Sequence, residues 1–257
     1  MTKSPEIRIP ANEITVAKRT EASIAVVGNP NSGKSTLFNR LTGLKQRIGN
    51  YPGVTVEKHV GYLKTDAALV ELVDLPGTHS LSAHSLEEHI AVDVIFGRIE
   101  GTQAPDGILA VLDATNLYQG LFLVQQLVDL ELPMIVALTM TDAAEKSGIQ
   151  VDTAALSALL GVPVYPVVAT TGAGLEMLRR AIGGIREVAP PRRIRVWPEL
   201  TEAAAEVAED AHERLRFAEL ERLLIDGPTA ANQAIVAKLS DLGRSKIDEV
   251  RSALFGD

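Results

Sequence analysis

From Ser23 onward the chain alternates short runs of β-branched and aliphatic residues with longer amphipathic stretches. SIAVV precedes 35–44, AALVELV precedes 86–96 and GILAVLD precedes 117–129. MIVALT and VYPVV then precede 151–160 and 175–188. Apolar runs of strand length, each followed by a segment of helix length, mark strands covered on both faces by helices. The segment VTVEKHVGYL alternates instead and enters the next run through a short turn, which predicts an antiparallel edge strand. The fold class that follows is α/β, a mostly parallel six-stranded sheet with helices on both faces.

The pattern changes at Ala189-Pro190-Pro191-Arg192-Arg193, where two prolines forbid helix continuation and mark a linker. Beyond it only helical spacing remains: Val207, Ala211, Leu215 and Ala218 recur at i+4, i+4 and i+3, Gly227-Pro228 interrupts, and 235–242 and 247–254 restart the period. This predicts a small all-helical subdomain. The division expected is an N-terminal extension over 1–20, an α/β domain over 21–188 and a helical unit over 189–257. The first twenty residues mix charge with Pro10 and carry no apolar core, so they do not read as a secretion signal.

Composition narrows the setting. The chain has 257 residues, 46% of them hydrophobic, which suffices for a core without staples. With no cysteine, neither disulfides nor thiolate metal sites are available, and a reducing compartment is the natural reading. A net charge of −8, with no dominant basic face, argues against nucleic acid as a partner. The longest nearly uncharged apolar stretch, 132–141, is far short of the roughly 20 residues needed to cross a bilayer.

The chemistry lies at the ends of the strands. Gly28-Asn29-Pro30-Asn31-Ser32-Gly33-Lys34-Ser35 fits G-x-x-x-x-G-K-[ST] directly after one strand and at the start of a helix. Such a loop curls backbone N–H groups around a β-phosphate, sends Lys34 to the β- and γ-phosphates and offers the Ser35 hydroxyl to Mg²⁺. Chance matches in a chain this long number on the order of one in a hundred, so an accidental glycine-rich turn is set aside. Gly28, Asn31, Ser32, Gly33, Lys34, Ser35 and Thr36 are therefore the expected phosphate-binding set. Asp74-Leu75-Pro76-Gly77 ends the third run. Asp74 can hold Mg²⁺ through water and the Gly77 N–H can sense a γ-phosphate. Between the two, 47–55 is polar and glycine-rich and ends in Thr55. It is read as a switch loop that brings Gly53, Val54 and Thr55 over the nucleotide, with the Thr55 hydroxyl completing the magnesium shell.

Two further loops address the base. Asp142 in Thr139-Met140-Thr141-Asp142 can accept from the paired N–H groups on a guanine edge, which adenine lacks. Thr139 stands where guanine-binding proteins usually carry asparagine, and its shorter hydroxyl puts affinity and the tethering of neighbouring loops in doubt. Ala169 and Thr170 follow the last run, placed for a backbone N–H to the guanine carbonyl. Asp142 and the DLPG sequence disfavour an ATPase or kinase. His79, His84 and His89 are spaced five apart, about 140° on a helix, so they read as polar switch-region residues rather than a metal site.

In order and spacing, GNPNSGKS, NYPGVTVE, DLPGTHSLSAHSLEEHIA, VLDATNLYQGLFLVQQL, VALTMTDAAEKSGI and LLGVPVYP resemble the cytosolic N-terminal region of the ferrous iron transport protein B family over about Ser23 to Gly183. EDAHERLRFAELERLL is similar, more weakly, to that family's helical GDP-dissociation-inhibitor subdomain. The resemblance implies a P-loop GTPase fold and slow hydrolysis of GTP to GDP, catalysed through Lys34, Asn31, Thr55 and Gly77. Thr78 stands where Ras-like proteins carry glutamine, and the family implies a K⁺ ion in compensation, ligated by Asn31 and capped by the Gly49 and Tyr51 carbonyls. Glu87 and Glu88 match an acidic pair of the family's second switch, although a helix N-terminus explains two glutamates equally well. A membrane-transport domain in the same full-length chain, possible oligomerisation and a position on the cytoplasmic side of the inner membrane are also implied, with this chain a soluble fragment. The alternative function is a nucleotide-binding interaction module with little turnover.

Overall fold

The structure, a computed structural model, describes residues 22–43, 46–66, 68–81, 85–99, 102–192, 197–212, 215, 217–229 and 232–256. The expected extension over 1–20 lies outside the described residues, as does His84. Strands β1 (Ala22–Gly28), β4 (Leu69–Asp74), β5 (Gly107–Asp113), β6 (Met134–Thr139) and β7 (Val164–Pro166) run parallel in the order β4-β1-β5-β6-β7. β3 (Glu57–Lys64) pairs antiparallel with β4, and β2 (Gln46–Asn50) pairs antiparallel with β3 to complete a seven-stranded sheet.

The six-strand expectation missed β2, and so β3 lies one position inside the edge. The reason is visible in QRIGN, whose burial runs from half-buried to fully exposed. A strand held by backbone pairing alone leaves no apolar alternation to read.

Because neighbouring strand residues point to opposite faces, each central strand feeds two cores. Ala25, Val27, Ala110, Leu112, Val136 and Leu138 pack beneath α2 (Leu86–Ile95) and α3 (Leu117–Val128). Ile24, Val26, Leu109, Val111, Ile135 and Ala137 pack beneath α1 (Lys34–Thr42) and α6 (Leu175–Gly183). The helix starts are locally encoded. Ser85 caps α2 by accepting from the Glu88 N–H at 3.1 Å, with Glu87 and Glu88 in the first turn where the helix dipole favours negative charge. Two shorter helices, α4 (Thr141–Lys146) and α5 (Thr153–Leu160), link β6 to β7.

Beyond the prolines lie α7 (Pro198–Glu209), α8 (Phe217–Asp226), α9 (Gln233–Val236) and α10 (Asp241–Phe255) around a separate apolar cluster that includes Leu200, Val207, Leu220, Leu224, Leu239 and Ile247. The continuous period expected through 207–218 is broken between α7 and α8. There the chain leaves the helix to pair with 238–240: His212 N–H donates to Lys238 O at 2.9 Å and Ser240 N–H to Asp210 O at 2.9 Å. The start of α7 meets the end of α10, with the Trp197 and Phe255 rings edge to face at 5.6 Å.

Candidate nucleotide site

β1 is flanked by β4 and β5, so chain connections diverge on either side of its carboxyl end. Open α/β sheets bind ligands at such a point. Gly28 closes β1, and a Cβ there would meet Val111 O at 2.8 Å. After it, Asn31 and Gly33 both adopt left-handed backbone, φ 65° and 80°. Glycine takes that conformation freely and asparagine more readily than most residues. Such windings turn successive N–H groups into a concave nest suited to an anion. The loop wraps a cavity of about 510 Å³, lined by Asn31, Gly33, Lys34, Ser35, Thr36 and Gly77, together with Asn29, Pro30, Pro76, Glu87 and Met140.

The lysine charge in this site already has a partner. Lys34, only 8% exposed, ion-pairs with Asp74 from the end of β4. The segment after β4 is fastened to the loop, since the Thr78 N–H donates to Gly28 O at 3.2 Å and the Asn29 amide lies 3.1 Å from His79 Nδ1. Thr78 is fully buried, and its hydroxyl donates to Ser80 O at 2.6 Å. Glu87 faces the cavity, whereas Glu88 lies within 3.4 Å of both the Thr78 hydroxyl and the His79 N–H.

The switch residues lie elsewhere. Gly49 sits in β2 opposite Lys58, and neither it nor Tyr51, Gly53, Val54 or Thr55 lines the cavity. The Tyr51 carbonyl accepts from the Val54 N–H at 3.3 Å. Its ring is buried in the core, its hydroxyl has no partner among the described residues, and burial followed by the Asp74 charge raises the phenol above its ordinary pKa. The donor set therefore fits Mg²⁺ at Ser35 and Asp74, with Thr55 held apart. For K⁺, Asn31 alone of the three expected ligands faces the cavity.

At the base end, Thr139 is 2% exposed and its hydroxyl lies 2.7 Å from Ser32 O and 3.1 Å from Leu112 O. It tethers the phosphate loop, contrary to the expectation that its shorter hydroxyl leaves neighbouring loops untied. Asp142 is half out in solvent beside a separate cavity of about 370 Å³. The Ala169 and Thr170 carbonyls both accept from Arg40 of α1, the former at 2.8 Å, which fixes this loop against the helix that starts at Lys34. Arg40 was not singled out from sequence, and neither was Met140, whose left-handed backbone at φ 55° sets it against Gly33.

The helical unit holds the segment that follows the DLPG turn. Leu81, three residues beyond Thr78, is held from two sides: its N–H donates to Gln126 Oε1 at 2.6 Å and its carbonyl accepts from Arg222 Nη1 at 2.8 Å. Arg98 adds an ion pair to Glu219 at 2.7 Å.

Strand order, phosphate loop and DLPG turn together define a P-loop domain of GTPase fold. Residues 22–182 match the model of the ferrous iron transport protein B family, and the chain belongs to that family. Over 164 residues it is 50% identical to the Fe(2+) transporter FeoB of Escherichia coli K12 and 49% identical to that of Salmonella typhimurium, covering 62% of this chain and 21% of each relative. It thus spans about a fifth of the length of the curated relatives it matches. Among solved structures it resembles an S. thermophilus NFeoB variant bound to GDP, at 31% identity and TM-score 0.78 over 92% of this chain and 91% of that one. The cytosolic domain of T. maritima FeoB in its GMPPNP form matches at 30% identity and TM-score 0.75, over 91% and 98% of the two chains.

Proposed function

We propose that this chain binds GTP and GDP, hydrolyses GTP slowly, and regulates a ferrous iron transport domain carried by the same full-length protein on the cytoplasmic side of the membrane. The observation that carries this reading is the left-handed loop around the 510 Å³ cavity, with Lys34 and Asp74 paired at its edge. Phosphate oxygens would exchange for the Asp74 carboxylate on Lys34, freeing Asp74 to serve Mg²⁺ together with Ser35. Mg²⁺ supplies charge neutralisation at those oxygens. Thr78, buried and bonded to Ser80, is not free to orient water, so Lys34 and the Gly77 N–H meet the developing charge, and Asn31 would hold a monovalent cation able to neutralise part of it. Capping by Gly49 and Tyr51 requires the 46–56 segment to leave its present pairing. We take 21–188 as the catalytic unit and 189–257 as the regulatory one. The relatives' length supports a membrane domain in the full protein; no helix among the described residues is long and apolar enough to cross a membrane.

The test is turnover of GTP against ATP, in potassium against sodium at equal ionic strength. The reading expects GTP preference, faster hydrolysis in potassium, loss of turnover in Lys34→Ala, and loss of the cation difference in Asn31→Ala with binding largely kept. Equal rates in the two salts would overturn the cation mechanism. A second reading, a binding module with little turnover, draws on Thr139, whose engaged hydroxyl leaves the base one donor short. Binding without measurable hydrolysis would favour it.

A further inference from the structure

Arg40 stands in the last turn of α1, where a cation ordinarily serves the carboxyl end of its own helix. Its guanidinium is turned outward to another loop. Nε donates to Ala169 O at 2.8 Å and Nη2 donates to Thr170 O, so one planar fork spans two consecutive carbonyls of the loop after β7. That loop is a tight one, closed by an antiparallel bridge between Val168 and Ala173 and by the Gly172 N–H donating to Val168 O at 2.8 Å. The turn that bears Arg40 is held in its own right, because Arg179 of α6 donates to Arg40 O at 2.6 Å.

The geometry of the peptide gives this contact a consequence for binding. A trans peptide unit is planar, with its carbonyl and N–H on opposite sides. Fixing the Ala169 and Thr170 carbonyls on Arg40 therefore also fixes the directions of the Thr170 and Thr171 N–H groups, which belong to the same two units. Lys34 opens the same helix, and six residues of α-helix carry Arg40 about 9 Å along its axis. One rigid element thus holds the phosphate-binding lysine at its start and the loop expected at the guanine carbonyl at its end. We propose that Arg40 is a positioning residue for base recognition: it aims the backbone donors that meet the guanine carbonyl oxygen and, through α1, keeps them in register with the phosphates. The proposal rests on the guanine-nucleotide reading given above. A substitution at Arg40 leaves the cores untouched, since the residue is exposed.

Titration calorimetry of wild type, Arg40→Ala and Arg40→Lys tests it, each protein with GDP, ADP and the thio analogue of GDP whose base carries sulfur in place of the carbonyl oxygen. Sulfur is a weak acceptor, so the analogue gains little from a well-aimed N–H. Arg40→Ala should bind GDP about three- to tenfold more weakly than wild type, the scale of one well-made hydrogen bond, and should bind the analogue with a loss of about twofold or less. Arg40→Lys keeps the charge without the planar fork and should fall between the two. Equal losses for GDP and the analogue would overturn the proposal, because a general loosening of α1 weakens both alike. Unchanged or tighter GDP binding in Arg40→Ala, with wild type preferring GDP to ADP, would overturn the proposal alone. Wild type that takes ADP as readily as GDP would overturn the guanine reading, and the proposal with it.

Discussion

Arg222→Ala removes the bond by which the helical unit grips the segment after Gly77. Arg222 Nη1 lies 2.8 Å from Leu81 O, and the Leu81 N–H is held at 2.6 Å by Gln126, so the residue has little freedom while both bonds stand. Hydrogen bonds from charged donors contribute about 1.5 to 3 kcal/mol. The Arg222 side chain is 47% exposed, so solvent screening takes the figure to the low end or below, about 1 to 1.4 kcal/mol. If nucleotide release requires this segment to move, losing the bond shifts the opening equilibrium by that amount, roughly five- to tenfold. Stopped-flow release of a fluorescent GDP analogue should then be five- to tenfold faster in Arg222→Ala, with Arg222→Lys between variant and wild type. Unchanged release from a variant that melts like wild type would refute the coupling, because the contact would then be shown to carry no bias between states.

Tyr51→Phe deletes a buried hydroxyl that lacks a partner among the described residues and does not line the nucleotide cavity, so the melting temperature should rise by about 2 to 10 °C; a fall in calorimetry would show that the hydroxyl is bonded. The same residue sets a pH dependence. Its phenol holds a proton more tightly folded than unfolded, so its contribution is intact below the unfolded value of about 10 and declines as pH rises beyond it. Urea melts at pH 9 and 11 should therefore show a smaller decline in Tyr51→Phe than in wild type, and equal declines would count against the burial argument. Thr139→Asn restores a donor toward the base, and titration calorimetry should show GTP and GDP binding tighter by roughly two- to tenfold. Weaker binding would mean that the Thr139–Ser32 tether matters more than the added amide.

The parts legible in the sequence are those where one local rule decides the outcome. The motif spacing points to Gly28, residues 31–36 and Gly77, and all of these but Gly28 and Ser32 line the cavity, because positive backbone angles and a strand end admit few other sequences. The buried strands were equally plain, since ILAVL or IVAL has no other use in a chain of this composition. What the sequence withheld depends on partners far along the chain. β2 exists because β3 offers it an edge, and the gap between α7 and α8 exists because 238–240 pairs with it. Arg40 and Arg222 read as ordinary helix-surface cations until their acceptors, 129 and 141 residues away, are seen. A threonine at 139 predicts a weaker base contact and a weaker loop tether; its hydroxyl nonetheless bonds the phosphate loop, at a separation of 107 residues.

The contact between Trp197 and Phe255 has a mechanical consequence. It brings the two ends of the helical unit to one corner, so the chain enters and leaves the unit at the same place. Tension between the α/β domain and any polypeptide extending past Phe255 acts on α7 and α10 from the same end. Load applied in that way peels a seam a turn at a time, whereas load at opposite ends must shear the whole of it. The ring pair is therefore the first contact on the α7–α10 seam to yield, while the bonds of α8 to Leu81 and Arg98 share the load from the α/β domain.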